Sequence, residues 1–506
     1  MKLLSSKQIA ELDKITIKNE PINSWALMER AALKLVNKLL QQQELIVDYY
    51  SDETRSIIKC FCGSGNNGGD GFSIARHLIS KGFVVEVYWV QFSNTLSNDA
   101  LINYNLLLDD QIEIKTINDE NIDDVFIKEN DLVLDAIFGT GLNRPIQDFT
   151  KTLVQKINQS GTKIISIDIP SGLFADDNRV NDFEAIIKAD ITYTFQLPKI
   201  SFLQPQNQIF TGSWEVLDIG LQIQSVSEFE SNNYWVNKAF TLGLMQPRKA
   251  FSHKGTFGHA LLIGGSLGKI GSIAMATKAC LRAGSGLVTV CVPQCGVEIV
   301  QTLIPEAMVL PNQGKGVLEG NIEIGNKTAI GIGVGVGLDE KTAKTLQNII
   351  TNTNGPLVID ADGINILAEN KTWLAFLPNL TILTPHPGEF KRLVGDWQSD
   401  EEKIEKLKEF SRKFNLIVIL KGAFSIVCTP NGNLFYNSTG NAGMATAGSG
   451  DVLFGIITGY LAQGLSPLNA AILGVYNHGL AGDLMVESTS QTALIATDII
   501  EGLRYC

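Results

Sequence analysis

Continuous apolar runs that alternate with amphipathic segments are the feature that most constrains the fold of this chain. In the first half, apolar runs span 56–61, 84–90, 132–136 and 163–169, and amphipathic stretches occupy 72–81 and 150–160. Runs without polar alternation are typical of strands buried on both faces, as in a parallel sheet covered by helices. The first half therefore predicts a doubly wound, Rossmann-like α/β domain.

A second α/β series follows a polar and acidic segment. Its strand candidates are 259–263, 287–292, 329–332, 356–359, 380–383 and 416–420. A chain of 506 residues is too long for one hydrophobic core. Few apolar residues are available at 222–240, so we place a linker there. The sequence predicts one domain at 1–221 and a second at 241–506.

Composition excludes several classes of protein. A net charge of −12 argues against a general nucleic-acid binder, because nothing would neutralise a run of phosphates. The seven cysteines are scattered without zinc-like spacing, which indicates buried thiols in a reducing cytoplasm. No signal-peptide stretch opens the chain, and the most apolar late stretch, 453–473, is interrupted by Gln463 and Pro467. We expect a cytoplasmic homo-oligomer without membrane or nucleic-acid partners.

Three motifs in the first half each follow a strand. A glycine-rich loop, 63–71, opens a helix, while 135–145 and 168–172 begin with aspartate at later strand ends. A loop feeding a helix N-terminus offers N–H donors and a positive dipole end, which suit a diphosphate. The alternative is that the glycines only make tight turns. The two further acidic strand ends favour a ligand site, since ligands bind at this edge of open α/β sheets.

These motifs, taken in order, resemble the NAD(P)H-hydrate epimerase family over nearly the whole first half, including 189–195 and 218–220. The resemblance implies that a hydrated nicotinamide nucleotide is bound by Asn66, Asn67, Gly68, Gly69, Asp70, Gly139, Thr140, Gly141, Leu142, Asn143, Arg144, Pro145 and Asp168. It also implies a potassium ion held by Asn67, Asp135 and Ser171, an oxygen-rich set with one carboxylate.

Asp168 is the candidate catalytic acid/base of this half. A carboxylate buried at a strand end can have its pKa raised toward neutrality, as proton transfer at C6 of the hydrated ring requires. The alternative is a capping or purely structural aspartate.

The strongest motif of the second half is 441–451, followed by an apolar helix at 452–462. Gly448, Ser449 and Gly450 allow the backbone to turn N–H groups toward an anion at the helix N-terminus. Asp451 then lies in the first turn, where phosphates would repel it. Its natural task is to take a proton from a hydroxyl that attacks phosphorus, and the alternative is a helix-capping aspartate.

Four further short motifs lie at the ends of predicted strands in the second half, at 331–337, 360–363, 384–389 and 420–422. With the glycine motif, they resemble the ribokinase-like superfamily and, within it, the NAD(P)H-hydrate dehydratase family, from about His253 to the end. The resemblance implies that ADP is bound by Lys421, Gly422, Ala423, Phe424, Ser425 and Gly450. It implies that the hydrated dinucleotide is bound by Ser272, Gly335, His386 and Asp451.

Two of these assignments keep a structural alternative. His386 is either a site residue in a loop fixed by two prolines or a core histidine. Glu389 either helps organise Mg²⁺ that accompanies ADP or is a solvated helix glutamate. The match also has departures: Ser272, Ser449 and Val334 stand where many relatives have alanine, threonine and proline. These small-for-small changes affect fine substrate contacts rather than the activity.

The two resemblances together imply one repair function. The first half would interconvert the R and S epimers of hydrated NADH or NADPH, and the second would dehydrate the S epimer at the expense of ADP. Two rival hypotheses remain. In one, the second half is a small-molecule kinase whose product retains the phosphate. In the other, the first half is a nucleotide-binding module without chemistry.

Overall fold

The computed structural model describes residues 1–42, 45, 56–245 and 247–506. They form two compact units, each treated separately below. The first unit comprises Lys2–Ser231 and Ser399–Glu401, and the second comprises Met1, Asn232–Gln398 and Glu402–Cys506. Among the helices in these ranges, none combines the length and the apolar character that crossing a membrane demands.

The first unit is a parallel sheet with helices. Its strands are β1 Ile58–Cys62, β2 Val85–Val90, β3 Ile114–Ile117, β4 Leu132–Ala136, β5 Lys163–Ile167, β6 Ile191–Phe195 and β7 Ser213–Leu217. Its helices are α1 Ser6–Asn19, α2 Ser24–Gln41, α3 Asn66–Ser80, α4 Asn98–Asp109, α5 Asp148–Gln159 and α6 Gln208–Thr211. The strand order is β3-β2-β1-β4-β5-β6-β7, and every pairing is parallel.

The second unit is a larger, mixed sheet. Its strands are β8 Asn233–Val236, β9 His259–Ile263, β10 Leu287–Val292, β11 Met308–Pro311, β12 Ala329–Ile332, β13 Leu357–Ile359, β14 Ile382–Leu383, β15 Ile417–Leu420, β16 Ile426–Cys428 and β17 Leu434–Asn437. The order is β11-β10-β9-β12-β13-β14-β15-β16-β17-β8. Only the β15–β16 and β16–β17 pairings are antiparallel among the described strands.

Helices accompany this sheet along the second half of the chain. They are α7 Lys238–Thr241, α8 Ile270–Arg282, α9 Val297–Leu303, α10 Glu340–Asn352, α11 Asp362–Glu369, α12 Pro387–Val394, α13 Asp400–Phe414, α14 Ser449–Ala462, α15 Pro467–Val486 and α16 Ala496–Gly502. The predicted fold class, two α/β domains with a Rossmann-like and a ribokinase-like half, is confirmed by this architecture.

One predicted segment has a different structure. Residues 233–236, placed in the 222–240 linker from sequence, form β8 and pair in parallel with β17. Tyr234 stacks on Phe435 with ring centroids 4.7 Å apart, so this short strand gains its stability from aromatic packing. The strand is hard to find in the sequence because its apolar run is only three residues long and polar residues flank it, Asn232 and Asn233 before and Asn237 and Lys238 after.

The strand order fixes where ligands can bind. In the first sheet the order reverses between β1 and β4, and in the second between β9 and β12. At such a switch point the loops leaving neighbouring strands diverge to opposite faces and open a crevice at the carboxyl edge. The glycine-rich loop after β1 and the 137–145 loop after β4 therefore flank one crevice. The loops after β9 and β12 flank the other.

Close helix packing governs the core of the second unit. A Cβ added at Gly455 in α14 would overlap the carbonyl oxygen of Ala276 in α8. At Gly459, one turn on, an added Cβ would lie 2.9 Å from the carbonyl oxygen of Cys280. The two helices therefore approach closely because glycine faces backbone along their contact.

We expect Gly455→Ala to lower the free energy of unfolding of the second unit by about 1–3 kcal/mol, the usual cost of overpacking. Alanine would otherwise gain roughly 1 kcal/mol in a helix interior, so the sign of the change is informative. Urea unfolding followed by circular dichroism measures the effect. Gly271→Ala in α8 is the matched control, since its added Cβ meets nothing within 4 Å. Equal losses in both variants would contradict the packing argument.

Candidate active sites

The glycine-rich segment of the first unit lies inside a helix rather than before it. Helix α3 begins at Asn66, six residues earlier than the predicted 72–81. A Cβ at Gly68 would overlap the carbonyl oxygen of Gly63, and one at Gly71 would lie 2.6 Å from the Cβ of Ala136. These glycines let the helix start approach the sheet closely. An added Cβ at Gly65 meets nothing within 4 Å, so this side of the loop is open to solvent.

Asn67, Asp135 and Ser171 are brought together at the switch point. The hydroxyl of Ser171 donates to Asp135 Oδ1 at 2.5 Å and lies 3.3 Å from the carbonyl oxygen of Phe138. Asn67 Nδ2 donates to the same carbonyl at 3.1 Å. Gly139 packs beside this group, because its added Cβ would lie 3.0 Å from that of Asn67. Amide, carboxylate, hydroxyl and carbonyl oxygens therefore gather at one point.

The Asp135 carboxylate is fully buried and carries no cationic partner. It accepts hydrogen bonds from Ser166 Oγ at 2.7 Å and from the Ser171 N–H at 2.8 Å. No Lys, Arg or His of the described chain forms an ion pair with it. Burial raises the pKa of Asp135, while the hydrogen bonds act in the opposite direction. A buried carboxylate that lacks a cation in the protein fits a bound cation.

Asp168 is held by one oxygen only. Its Oδ1 accepts from Lys199 Nζ at 2.8 Å, from the Phe195 N–H at 3.0 Å and from Thr194 Oγ1 at 3.1 Å. Oδ2 receives no hydrogen bond from the described residues. Asp168 also has a φ of +65°, a strained conformation for a non-glycine residue. Three donors thus fix Oδ1 and leave Oδ2 available to accept a proton or a hydrogen bond from a ligand.

Two further acids, Asp70 and Asp13, lie near enough to Asp168 for its charge to raise their pKa values. Burial, with repulsion from Asp168, raises the pKa of Asp70 well above its usual value. Burial and the same neighbour raise the pKa of Asp13, on α1, to about 6. Lys199 is almost completely buried and pairs with Asp168 alone among the described acids. The crevice therefore combines an ion-paired carboxylate with two acids whose pKa values are raised, which makes them better proton carriers than exposed aspartates.

The remaining residues predicted for this ligand lie on the loop after β4. Leu142 donates its N–H to the carbonyl oxygen of Gly139 at 3.2 Å, which closes a turn. Thr140 and Pro145 are partly buried, whereas Gly141, Asn143 and Arg144 are exposed. No hydrogen bond or ion pair in the described chain draws Asn143 or Arg144 toward Asp168. Their assignment to the ligand stays a prediction.

In the second unit, Ser272, Gly335 and Asp451 meet at the other switch point. Gly335 has a φ of +64°, and its added Cβ would lie 3.1 Å from the Cβ of Ser272. The carbonyl oxygen of Gly335 accepts from Ser266 Oγ at 2.8 Å, which ties the loops after β9 and β12 together. Burial raises the pKa of Asp451 to about 6, and the hydroxyl of Ser272 opposes this rise.

Helix α14 begins at the predicted glycine motif. Gly448 takes a φ of +88° as the N-cap residue, and Asp451 lies in the first turn. The N-cap residue is Gly448 and Asp451 is the third residue of the helix, so Asp451 does not occupy the capping position. The capping alternative for Asp451 is therefore wrong. The free N–H groups of the first turn remain available for an anion.

Lys421 lies at the centre of the predicted ADP site. Its Nζ donates to Asp360 Oδ1 at 2.8 Å and lies 3.9 Å from Glu389 Oε2. Burial lowers the pKa of Lys421, but the neighbouring carboxylates outweigh it and raise the pKa overall. An added Cβ at Gly450 would lie 3.4 Å from Lys421 Nζ. The ammonium group is therefore held charged beside the start of α14.

The other predicted ADP residues form the turn between β15 and β16. Gly422 donates its N–H to Ser425 Oγ at 3.2 Å, and this hydroxyl donates back to the Gly422 carbonyl at 2.9 Å. Phe424 has a φ of +53°, so the turn is strained as well as short. Gly422 and Ala423 are exposed at its tip.

His386 and Glu389 form the N-terminus of α12. His386 Nδ1 accepts from the Gly388 N–H at 3.0 Å, and Glu389 Oε2 accepts from the His386 N–H at 2.8 Å. The imidazole is half exposed, which makes the core-histidine interpretation wrong. Glu389 is 5% exposed, so the solvated-glutamate interpretation is also wrong.

No cluster of three or more His, Cys, Asp or Glu suited to a metal occurs in the described ranges.

Several residues of these sites escaped the sequence analysis. Lys199 and Asp13 reach Asp168 only through tertiary packing, and their spacing gives no signal. His478, on α15, lies 3.2 Å from Ser449 Oγ, and burial lowers its pKa to about 4. Asp360 and Asp362 did lie in a motif, 360–363, that marked a strand end. A polar residue directly after a buried strand was the available signal for those two.

Comparison with known proteins agrees with both halves. A family model described as YjeF-related protein N-terminus matches residues 24–201, and one described as NAD(P)H-hydrate dehydratase matches residues 260–504. A protein of Bacillus subtilis described as ADP/ATP-dependent NAD(P)H-hydrate dehydratase, co-crystallised with ATP and Mg²⁺, is 28% identical with a TM-score of 0.47. That comparison covers 55% of this chain and 98% of the other.

Full-length relatives carry both halves. The bifunctional NAD(P)H-hydrate repair enzyme of Moorella thermoacetica is 34% identical over 100% of this chain and 96% of its own. Those of Thermofilum pendens and Escherichia coli are 35% and 33% identical, over 87% and 88% of this chain and 86% and 83% of their own. The family expected from the motifs is confirmed, and the chain belongs to the bifunctional NAD(P)H-hydrate repair enzymes.

Proposed function

We propose that this chain restores hydrated NADH and NADPH in two reactions. The first unit interconverts the R and S epimers at C6 of the hydrated nicotinamide ring. The second unit dehydrates the S epimer, with ADP as phosphoryl donor and AMP and phosphate as products. One chain needs both activities because a stereospecific dehydratase leaves the other epimer unrepaired.

The observation that carries this proposal is the placement of Asp451. Its carboxylate is partly buried at the start of a helix whose first-turn N–H groups suit phosphate, and Lys421 lies nearby. A pKa of about 6 leaves the group mostly ionised at neutral pH yet able to hold a proton. The site thus combines a base for a hydroxyl with cationic and N–H groups for the transferred phosphoryl.

The dehydratase chemistry follows from these groups. A hydroxyl is a poor leaving group, and phosphorylation converts it into a good one. Asp451 takes the proton of the C6 hydroxyl as its oxygen attacks the terminal phosphorus of ADP. Lys421 stabilises the charge on the transferred group. The lone pair of the ring nitrogen then expels phosphate from C6.

The epimerase chemistry needs a proton acceptor at the same carbon. C6 carries both the hydroxyl and the ring nitrogen, so loss of the hydroxyl proton lets the C6–N bond open to an aldehyde. Closure on the opposite face inverts the centre. Asp168 presents its unbonded Oδ2 for this proton, while Lys199 fixes Oδ1. Asp70, whose pKa is raised by burial, supplies a proton to the nitrogen that is released.

Two cations complete the proposal. Asn67, Asp135 and Ser171 would hold K⁺, which would supply positive charge beside the ligand's phosphates. Mg²⁺ would enter with ADP, since it is usually bound through phosphates and one or two carboxylates. Asp360 and Glu389 are the carboxylates near Lys421 that would face it. A homo-oligomer in the cytoplasm stays a prediction from sequence.

Separate substitutions should divide the two activities. With purified R epimer and ADP, Asp168→Asn should lower the recovery of absorbance at 340 nm by about 100-fold or more, as expected for loss of an acid/base group. With S epimer, the same variant should act normally. Asp451→Asn should show the reverse, with epimerisation kept and dehydration lost.

The same assay separates the rival functions. A small-molecule kinase would yield a stable phosphorylated hydrate without absorbance at 340 nm. A first unit that only binds nucleotide would leave the R epimer unrepaired in the wild type, so that Asp168→Asn changes nothing. Running each reaction with ADP and with ATP identifies the donor.

Potassium should act on the first unit alone. Replacing KCl by LiCl at equal ionic strength should slow epimerisation and leave dehydration of the S epimer unchanged. K⁺ should also stabilise the first unit, by about 2.7 kcal/mol at a concentration about 100 times the dissociation constant. Ser171→Ala, which removes one oxygen, should weaken both effects. If the first unit melts at the same temperature in KCl and in LiCl, this cation site is excluded.

The buried Asp451 should make the second unit less stable as pH rises. Its pKa is raised from 3.8 to about 6 by burial, so the folded state binds the extra proton between these values. The associated stability is present at pH 4 and is lost as pH rises through 6. Asp451→Asn should therefore stabilise the second unit at pH 8 by about 3 kcal/mol, and the gain should fall steeply toward pH 4 and vanish below the unfolded pKa of 3.8.

Denaturation at several pH values tests this dependence. Asp339→Asn is the control, because Asp339 is an exposed helix N-cap and asparagine caps equally well. A gain for Asp451→Asn that is the same at pH 4 and pH 8 would contradict the argument.

A further inference from the structure

We propose that Asp362 is a second catalytic base of the dehydratase site and removes a proton from C5 of the nicotinamide ring. This inference rests on the dehydration proposed above and deepens it. The residue lies at the start of α11, directly after the strand end at 357–359.

The need for a second base follows from the balance of the reaction. Hydration of the C5–C6 double bond adds hydroxyl to C6 and hydrogen to C5, so repair must remove both. When phosphate leaves C6, the nitrogen lone pair forms an iminium, N1=C6. Loss of a C5 proton then sends the C5–H electron pair into a C5=C6 bond and returns the iminium pair to nitrogen. Without that loss, water adds to C6 and regenerates the hydrate while ADP is consumed.

Asp451 is poorly suited to this second step. It has already accepted the proton of the C6 hydroxyl in the first step, so one carboxylate would need to hold two protons in succession. Asp360 is buried and paired with Lys421 at 2.8 Å. His386 uses Nδ1 to accept a backbone N–H, and Glu389 accepts from the His386 N–H. The second nitrogen of His386, Nε2, lies 3.4 Å from Glu389 Oε1, so each of these groups is already paired with a neighbour in the protein.

Asp362 has the contacts that the second step requires. Its Oδ2 accepts the Gly337 N–H at 2.8 Å and lies 3.4 Å from Lys269 Nζ. Both partners belong to the two switch-point loops, and the carbonyl oxygen of Lys269 lies 2.8 Å from an added Cβ at Gly335. Asp362 therefore stands on the side of the site where Gly335 meets Ser272.

Its other oxygen is available. No described residue forms a hydrogen bond with Oδ1 of Asp362, and the side chain is 20% exposed. Repulsion from Asp362 contributes to the raised pKa of Asp451, so the two carboxylates lie in the same part of the site. Ala361 holds the turn before Asp362 at a φ of +50°, an uncommon and costly conformation for alanine.

The test measures coupling between ADP and NADH. The full chain is supplied with ADP and S epimer, and AMP and NADH are counted together. The wild type should form one NADH for each AMP. Asp362→Asn should slow NADH formation by about 100-fold or more while AMP is still released, because the iminium returns to the hydrate. Hydrate carrying deuterium at both C5 positions should then show a larger isotope effect on NADH formation than in the wild type.

Two outcomes would overturn the proposal. Unchanged coupling in Asp362→Asn would assign the proton to another acceptor, such as the departing phosphate. Equal losses of AMP and NADH would place Asp362 in binding or phosphoryl transfer. Asp339→Asn, an exposed aspartate on the neighbouring α10, is the matched control and should stay fully coupled.

Folding failure is distinguished by a second variant. Asp362→Glu keeps a carboxylate and should keep one NADH per AMP at a reduced rate, and Asp362→Ala should recover NADH formation when formate is added. Loss of coupling in Asp362→Glu equal to that in Asp362→Asn would count against a proton-accepting role. If the wild type itself fails to restore absorbance at 340 nm, the proposed function falls first, whatever Asp362 does.

Discussion

A carboxylate taken out of water at the carboxyl edge of a sheet is the constraint on which both sites depend. Burial disfavours the charged form, so each such group must find a cation, several N–H donors or a proton. Asp135, Asp168 and Asp451 meet this requirement in three different ways. Asp135 accepts from hydroxyl and N–H donors, Asp168 is paired with Lys199, and Asp451 has a pKa raised to about 6, so it takes up a proton more readily than an exposed aspartate. The chemistry of each site follows from that choice.

The parallel strands of each sheet place these carboxylates at one edge whatever ligand is bound there. Parallel strands end at one edge, and helices that follow them begin at the same edge with free N–H groups. In both sheets the switch point opens a crevice there, which brings polar loops together that are far apart in sequence. Glycine is needed where these loops touch, as at Gly335 beside Ser272 and at Gly68 beside Gly63. Some glycines in the motifs are therefore required by close packing of the loops rather than by contact with a ligand.

This distinction explains what the sequence could and could not predict. The strands at 132–136, 259–263, 287–292 and 329–332 agree with the structure to the residue, because buried parallel strands are continuous apolar runs. Edge strands such as Ile114–Ile117 and Asn233–Val236 are short and partly exposed, so periodicity does not mark them. The positions of Asp168 and Asp451 were marked by motifs. Lys199, which determines how Asp168 is held, becomes a neighbour only when β6 is placed beside β5.

Ser272 shows how one small side chain adjusts this balance. The family resemblance implies alanine at this position in many relatives, and serine adds only a hydroxyl to it. That hydroxyl faces Asp451 and opposes the rise in pKa that burial produces. Because the ionised form is the one that accepts a proton, the hydroxyl favours the state in which Asp451 acts as a base. A departure from the family pattern that changes side-chain volume little therefore acts on the charge of the proposed catalytic group, and Gly335 leaves room for Ser272 there, because an added Cβ at Gly335 would lie 3.1 Å from that of Ser272.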